Sequence, residues 1–147
     1  LMTCVRTVPV DPDVFVVDTS AVLRLYLDDG PAPEMLLSAF ERAARGDALL
    51  LAPDLLWIES ASVLLKQVAR SLLTLVEASE LLEDLGQLPI RGVPAHGLKL
   101  QALQLASAHG LSAYDALFLA LTIDRQASLL TADHRLQRVA QHCGCLA

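Results

Sequence analysis

The sequence predicts an α/β fold in which a mainly parallel sheet is covered by helices on both faces. Three observations lead to it. Short apolar runs at residues 14–17 and 48–52 are continuous rather than alternating, as in strands buried on both sides, and residues 127–131 form a third strand candidate. Longer stretches with helical periodicity separate them. The 147 residues, 54% hydrophobic and 19% charged, suffice for one domain with a real core and exclude a disordered segment.

Val14-Phe15-Val16-Val17, bounded by Asp13 and Asp18, is the first strand. Ser20 is placed to cap a helix over Ala21 to Leu27, which Asp28-Asp29-Gly30-Pro31 stops. A second helix spans roughly Pro33 to Arg45 and ends at Gly46. Ala48 to Ala52 is the next strand, closed by Pro53-Asp54, and a long helix follows to about Arg70. Ser71 or Thr74 opens a further helix that carries Leu75, Ala78, Leu81, Leu82 and Leu85 along one stripe and ends at Gly86. Leu88 to Val93 is a strand candidate weakened by Pro89, which cannot donate to a ladder. A helix from about Leu98 to His109 stops at Gly110, and Ser112 starts another that runs through Leu121. Ala127 to Thr131 is the third strong strand, and Asp133 leads into a last short helix. With no repeat, low-complexity segment or linker, the chain reads as one domain over 14–141. An extension over 1–13 precedes it and a tail over 142–147 follows.

The balance of 17 acidic against 11 basic residues, a net charge of -6, excludes nucleic-acid binding by simple charge attraction. Any chemistry on a phosphate chain has to bring its own cations. Residues 1–13 lack the apolar stretch of a secretion signal, and no run is long enough for a membrane span. Cys4, Cys143 and Cys145 form no even disulfide framework, which fits a reducing cytoplasm. The Cys-Gly-Cys ending reads as an untethered tail. The apolar surplus points to an interface with a second copy or a tightly held partner.

Four carboxylates stand in places that matter. Asp18 and Asp133 lie at the carboxyl ends of the first strand and of the third strong one, the edge where open α/β sheets bind ligands. Taken singly, each reads first as a helix-capping acid. Glu59 has Leu55, Leu56, Ser62 and Val63 one turn away, so it sits on or beside a buried stripe. It is either a border residue reaching water or a carboxylate that needs a cation. Asp115 falls three residues after Ser112, in the spacing of a capping box, at the mouth of the all-apolar run Ala116 to Leu121. Hydrolysis of a phosphodiester gives a reason to join them. Magnesium or manganese ions, held by carboxylate oxygens, would activate water and neutralise the phosphate. No histidine pair has ligand spacing, although His134 follows Asp133.

Together the segments resemble the PIN-domain family: Val16-Val17-Asp18-Thr19-Ser20-Ala21; Ala52-Pro53 followed by Glu59; Tyr114 to Ala120; and Leu129-Leu130-Thr131-Ala132-Asp133-His134-Arg135-Leu136. The resemblance implies a three-layer α/β/α fold with a central parallel sheet. It implies an acidic pocket of Asp18, Glu59, Asp115 and Asp133 that binds Mg2+ (or Mn2+), supported by the hydroxyls of Ser20 and Thr131. Among PIN proteins the chain is similar to the VapC toxins. That implies an RNA substrate, a cognate antitoxin that covers the pocket, and a homodimer. Asp18 and Asp115 would hold the principal ion, with Glu59 and Asp133 completing the pocket or orienting the water, and the products would carry a 5′-phosphate and a 3′-hydroxyl. Arg24, Lys66, Arg70 and Arg135 are either phosphate contacts or ordinary solvated charges. The alternative within the fold is a PIN-like module that binds RNA or a protein without cutting. A haloacid-dehalogenase-type phosphatase needs an acid where Ser20 stands, and a response-regulator receiver needs an acidic pair after its first strand.

Overall fold

A computed structural model describes residues 12–147. Residues 1–11, which hold Cys4 and most of the expected extension, lie outside the described residues. Four strands, β1 (Asp13–Val17), β2 (Ala48–Pro53), β3 (Ile90–Val93) and β4 (Ser128–Leu130), form one sheet in the order β3-β2-β1-β4. Every neighbouring pair is parallel, so the sheet is wholly rather than mainly so. The helices are α1 (Thr19–Leu23), α2 (Met35–Ala44), α3 (Leu55–Ala69), α4 (Leu75–Gly86), α5 (Lys99–His109), α6 (Ala113–Asp124) and α7 (His134–His142). A single 3-10 turn at His96–Leu98 precedes α5.

Successive strand residues point to opposite faces, and Phe15, Val16 and Val17 are all buried, as are Leu50, Leu51 and Ala52. Both faces of the sheet are therefore covered, as the unbroken apolar runs require. The most deeply buried helix is α6, where the seven residues from Ala116 to Thr122 are all inside. Its buried Thr122 hydroxyl donates to the Phe118 carbonyl at 2.8 Å, which removes the cost of a polar group in the core. β1 sits between β2 and β4, and the chain builds outward on one side of it before crossing to the other. That reversal opens a crevice at the carboxyl edge of β1 and β4.

Three local expectations need correction. Asp18, not Ser20, occupies the N-cap position of the helix after β1, without a side-chain capping bond, and the helix is shorter than expected, breaking into tight turns after Leu23. Ser20 lies inside the first turn because its hydroxyl is engaged elsewhere, as described below. Second, the Ser112–Asp115 capping box is half formed: the Asp115 N–H donates to the Ser112 hydroxyl at 3.1 Å, without the reciprocal bond. The complete box belongs to Thr74 and Glu77 at the start of α4. Third, the tail is tethered. Leu146 bridges Leu129 in parallel, Leu129 N–H donates to the Cys145 carbonyl at 2.7 Å, and Ala147 N–H donates to the Leu129 carbonyl at 3.0 Å. These bonds satisfy backbone groups that the outer edge of β4 would otherwise leave open. Pro89 costs nothing, since it falls just before β3, itself an edge strand.

Candidate active site

Asp18 ends the central strand, and its N–H still donates to the Leu130 carbonyl of β4 at 2.9 Å. The side chain is only 4% exposed. Two hydroxyls hold it: Ser20 donates to Oδ2 at 2.6 Å and Thr131 donates to the same oxygen at 2.8 Å. Each hydroxyl has one proton, so with both spent on Asp18 their oxygens act as acceptors toward each other's surroundings. Ser20 accepts from the Ala132 N–H at 3.0 Å and Thr131 from the Asp133 N–H at 3.1 Å. The knot joins the ends of β1 and β4 and leaves the Asp18 Oδ1 without a donor among the described residues.

The other three acids arrive from separate elements. Glu59, half-buried on α3, accepts from the Thr19 hydroxyl at 2.7 Å through Oε2. Asp115 stands in the first turn of α6, half-buried at the mouth of the core helix. Asp133 caps α7, its Oδ1 accepting from the Leu136 N–H at 2.8 Å, and is exposed. Asp18, Glu59, Asp115 and Asp133 line one cavity of about 630 Å³, together with Thr19, Ser20, Arg24, Lys66 and Tyr114. Thr131 supports Asp18 from behind and does not line it. His134 bonds Gln137 on the surface instead, and Arg70 stays away from the cavity.

The electrostatics follow from that crowding. Burial pushes the Asp18 carboxyl up to about 6; the Ser20 and Thr131 bonds oppose the rise, and the charges of Asp115 and Glu59 add to it. Burial also raises Glu59, offset by the Thr19 bond and reinforced by Asp115. Asp115 is raised by burial first, then by Asp133, against the lowering effects of the Ser112 bond and Arg135. Asp115 is thus coupled to all three other acids.

Among the described residues, no three His, Cys, Asp or Glu side chains form a ready cage for one ion. A hard divalent cation does not require one. Magnesium keeps several waters and takes one or two carboxylates directly, meeting others through water. All-oxygen donors, a buried carboxylate with an uncommitted Oδ1 and mutually raised acids fit such an ion. The sequence reading brought the four acids, Ser20 and Thr131 to one place but missed Thr19. The signal for it was two adjacent hydroxyls directly after the strand-ending Asp18.

Comparison with known proteins identifies the family. The chain belongs to the PIN-domain family, whose pattern matches residues 15–141. Within that family it is similar to the VapC ribonucleases. It is 36% identical to Ribonuclease VapC3 of Pyrobaculum aerophilum over 124 residues, covering 82% of this chain and 90% of that one. It is 33% identical to Ribonuclease VapC9 of Mycobacterium tuberculosis over 128 residues, 87% of this chain and 92% of that one. The fold matches the crystal structure of PAE2754 from Pyrobaculum aerophilum with a TM-score of 0.62 at 21% identity, covering 86% of each chain.

Proposed function

We propose that the protein is a VapC-type toxin ribonuclease that hydrolyses RNA phosphodiester bonds with Mg2+ or Mn2+ at Asp18, Glu59, Asp115 and Asp133. One observation carries the reading: four carboxylates from four separate elements line a single cavity, and the most buried of them is knotted by two hydroxyls to the opposite strand. A divalent ion held there would activate water and neutralise charge on the phosphate. Asp18, with Oδ1 uncommitted, and Asp115, coupled to every other acid, are the residues to hold it. Ser20 and Thr131 keep Asp18 in one orientation. Glu59, fixed by Thr19 and made more basic by burial, is placed to take the proton of the attacking water. Asp133 at the rim orients that water. The water oxygen bonds to phosphorus as the bond to the 3′ oxygen breaks, so one product keeps the 5′-phosphate and the other gains a 3′-hydroxyl.

Exposed Leu65, Leu72, Leu75 and Val76, on α3, α4 and their connection, supply apolar surface for a partner. We assign it to the cognate antitoxin or to the second copy of a homodimer. No helix among the described residues is long and apolar enough to cross a membrane, and Cys143 and Cys145 are free, in keeping with action in the cytoplasm.

The test is cleavage of a total RNA pool by purified protein with Mg2+ or Mn2+, set against a chelator control, Asp18→Asn and Asp115→Asn. Discrete products that require the ion and vanish in both variants are expected. Metal binding without cleavage would favour the non-cutting RNA- or protein-binding module, and cutting by both variants would remove these residues from the site.

A further inference from the structure

The carboxylate chemistry leaves one wall of the cavity unexplained. Arg24 and Lys66 both line it. Arg24 follows α1 directly, and its side chain is 20% exposed. Its Nη1 is buried, 3.0 Å from the Asp29 carboxylate yet without an aligned hydrogen-bond partner. That edge of the guanidinium is pressed onto Gly30, where an added Cβ would stand 2.3 Å from Nη1. Gly30 also has φ +133°, a backbone conformation L side chains rarely adopt. The loop therefore holds Arg24 from behind, and a side chain at position 30 would be strained and would displace the guanidinium.

Holding a cation this way is unfavourable on its own, because Asp29 is 54% exposed and neutralises it only weakly. An anion in the cavity would offset that cost. Lys66 lies seven residues beyond Glu59 on α3, on the same helix face and about 10 Å further along the axis. It is exposed, and no salt bridge engages it among the described residues. The separation sets Lys66 apart from the four acids within the same cavity.

We infer that Arg24 and Lys66 form an anion track that binds RNA phosphates flanking the scissile one, with Gly30 as the residue that lets Arg24 take its position. Arg24 offers a preorganised fork and Lys66 a mobile point charge, so the pair fixes one phosphate and follows another. The track explains how a protein of net charge -6 draws a polyanion toward a cluster of acids. The inference rests on the ribonuclease reading for its ligand.

The experiment measures binding of a fluorescein-labelled single-stranded RNA by anisotropy across a potassium chloride series. EDTA is present, so that no ion-dependent cleavage consumes the probe. Arg24→Gln and Lys66→Gln should each bind about tenfold more weakly, the loss of one charge-assisted contact. Each should also lower the salt slope by about 0.7 for the one phosphate released. Gly30→Ala should match Arg24→Gln, and the double variant should be no weaker than either single one. Arg91→Gln, beside Pro12, Gly46 and Ala48 at the amino edge of the sheet, serves as the control and should keep the parent slope. Slopes for Arg24→Gln and Lys66→Gln equal to that of Arg91→Gln overturn the track. If Gly30→Ala fails to fold, the two charge variants still decide. Cleavage by the parent is scored separately with magnesium, and its absence defeats the ribonuclease reading without altering the slopes.

Discussion

Replacing Asp18 with asparagine keeps the shape of the side chain and removes a charge that burial makes expensive. The carboxyl is raised from 3.8 to about 6 in the folded protein. At 1.36 kcal/mol for each pKa unit, the ionised state costs the fold about 3 kcal/mol, to order of magnitude. The sign follows from protonation. Below pH 3.8 the group is protonated in both folded and unfolded chains and costs nothing; between 3.8 and about 6 the unfolded chain ionises first, so stability falls as pH rises. Above that window the full penalty is present. Asparagine removes it and can turn its carbonyl oxygen to the place of Oδ2, keeping both bonds as weaker neutral ones, a loss on the order of 1 kcal/mol. Asp18→Asn should thus be more stable than the parent by about 1–2 kcal/mol at pH 7.5 in EDTA and no more stable at pH 4. Urea unfolding at the two pH values reads the difference directly, and magnesium should then raise the midpoint of the parent alone. A gap that is independent of pH, or a variant less stable at pH 7.5, would refute the account of Asp18 as a strained, desolvated charge.

Thr131→Val keeps the volume, deletes the donor to Asp18 and orphans the Asp133 N–H. It should cost about 1–3 kcal/mol in denaturant unfolding and lower the rate of cleavage together with it. Removing residues 145–147 breaks the two backbone bonds to Leu129 and bares the edge of β4. Stability should fall by about 1–3 kcal/mol, and concentration-dependent aggregation should appear in light scattering. Thr74→Ala opens the one complete capping box and should lower stability by about 1 kcal/mol with no change in cleavage, since Thr74 lies outside the cavity.

Much of the molecule was legible in the sequence because the signals are local. The apolar runs of β1, β2 and β4 and the glycine at 110, with φ +64°, announce themselves within a few residues. The four acids were legible for the same reason: each ends a strand, opens a helix or interrupts an apolar stripe. What escaped depends on partners far along the chain. Ser20 looks like a cap until Ala132 and Asp18 compete for its hydroxyl, and Thr19 looks idle until α3 brings Glu59 to it, 40 residues away. The tail looked loose because its bonds run to β4, a pairing that no periodicity reveals. Likewise the crowding of Gly30 against Arg24 is a matter of loop geometry, and sequence shows only a turn.

The knot between Ser20, Asp18 and Thr131 spans 113 residues of chain, from Asp18 to Thr131, and that distance has a temporal meaning. On a translating ribosome β1 is made early, yet its Asp18 has neither Thr131 nor the Asp133 rim until β4 has emerged and docked. A nascent chain that stops anywhere before that point holds at most three of the four acids and lacks the support that orients the first. Synthesis itself thus leaves the acid-lined cavity unassembled until the sheet is whole.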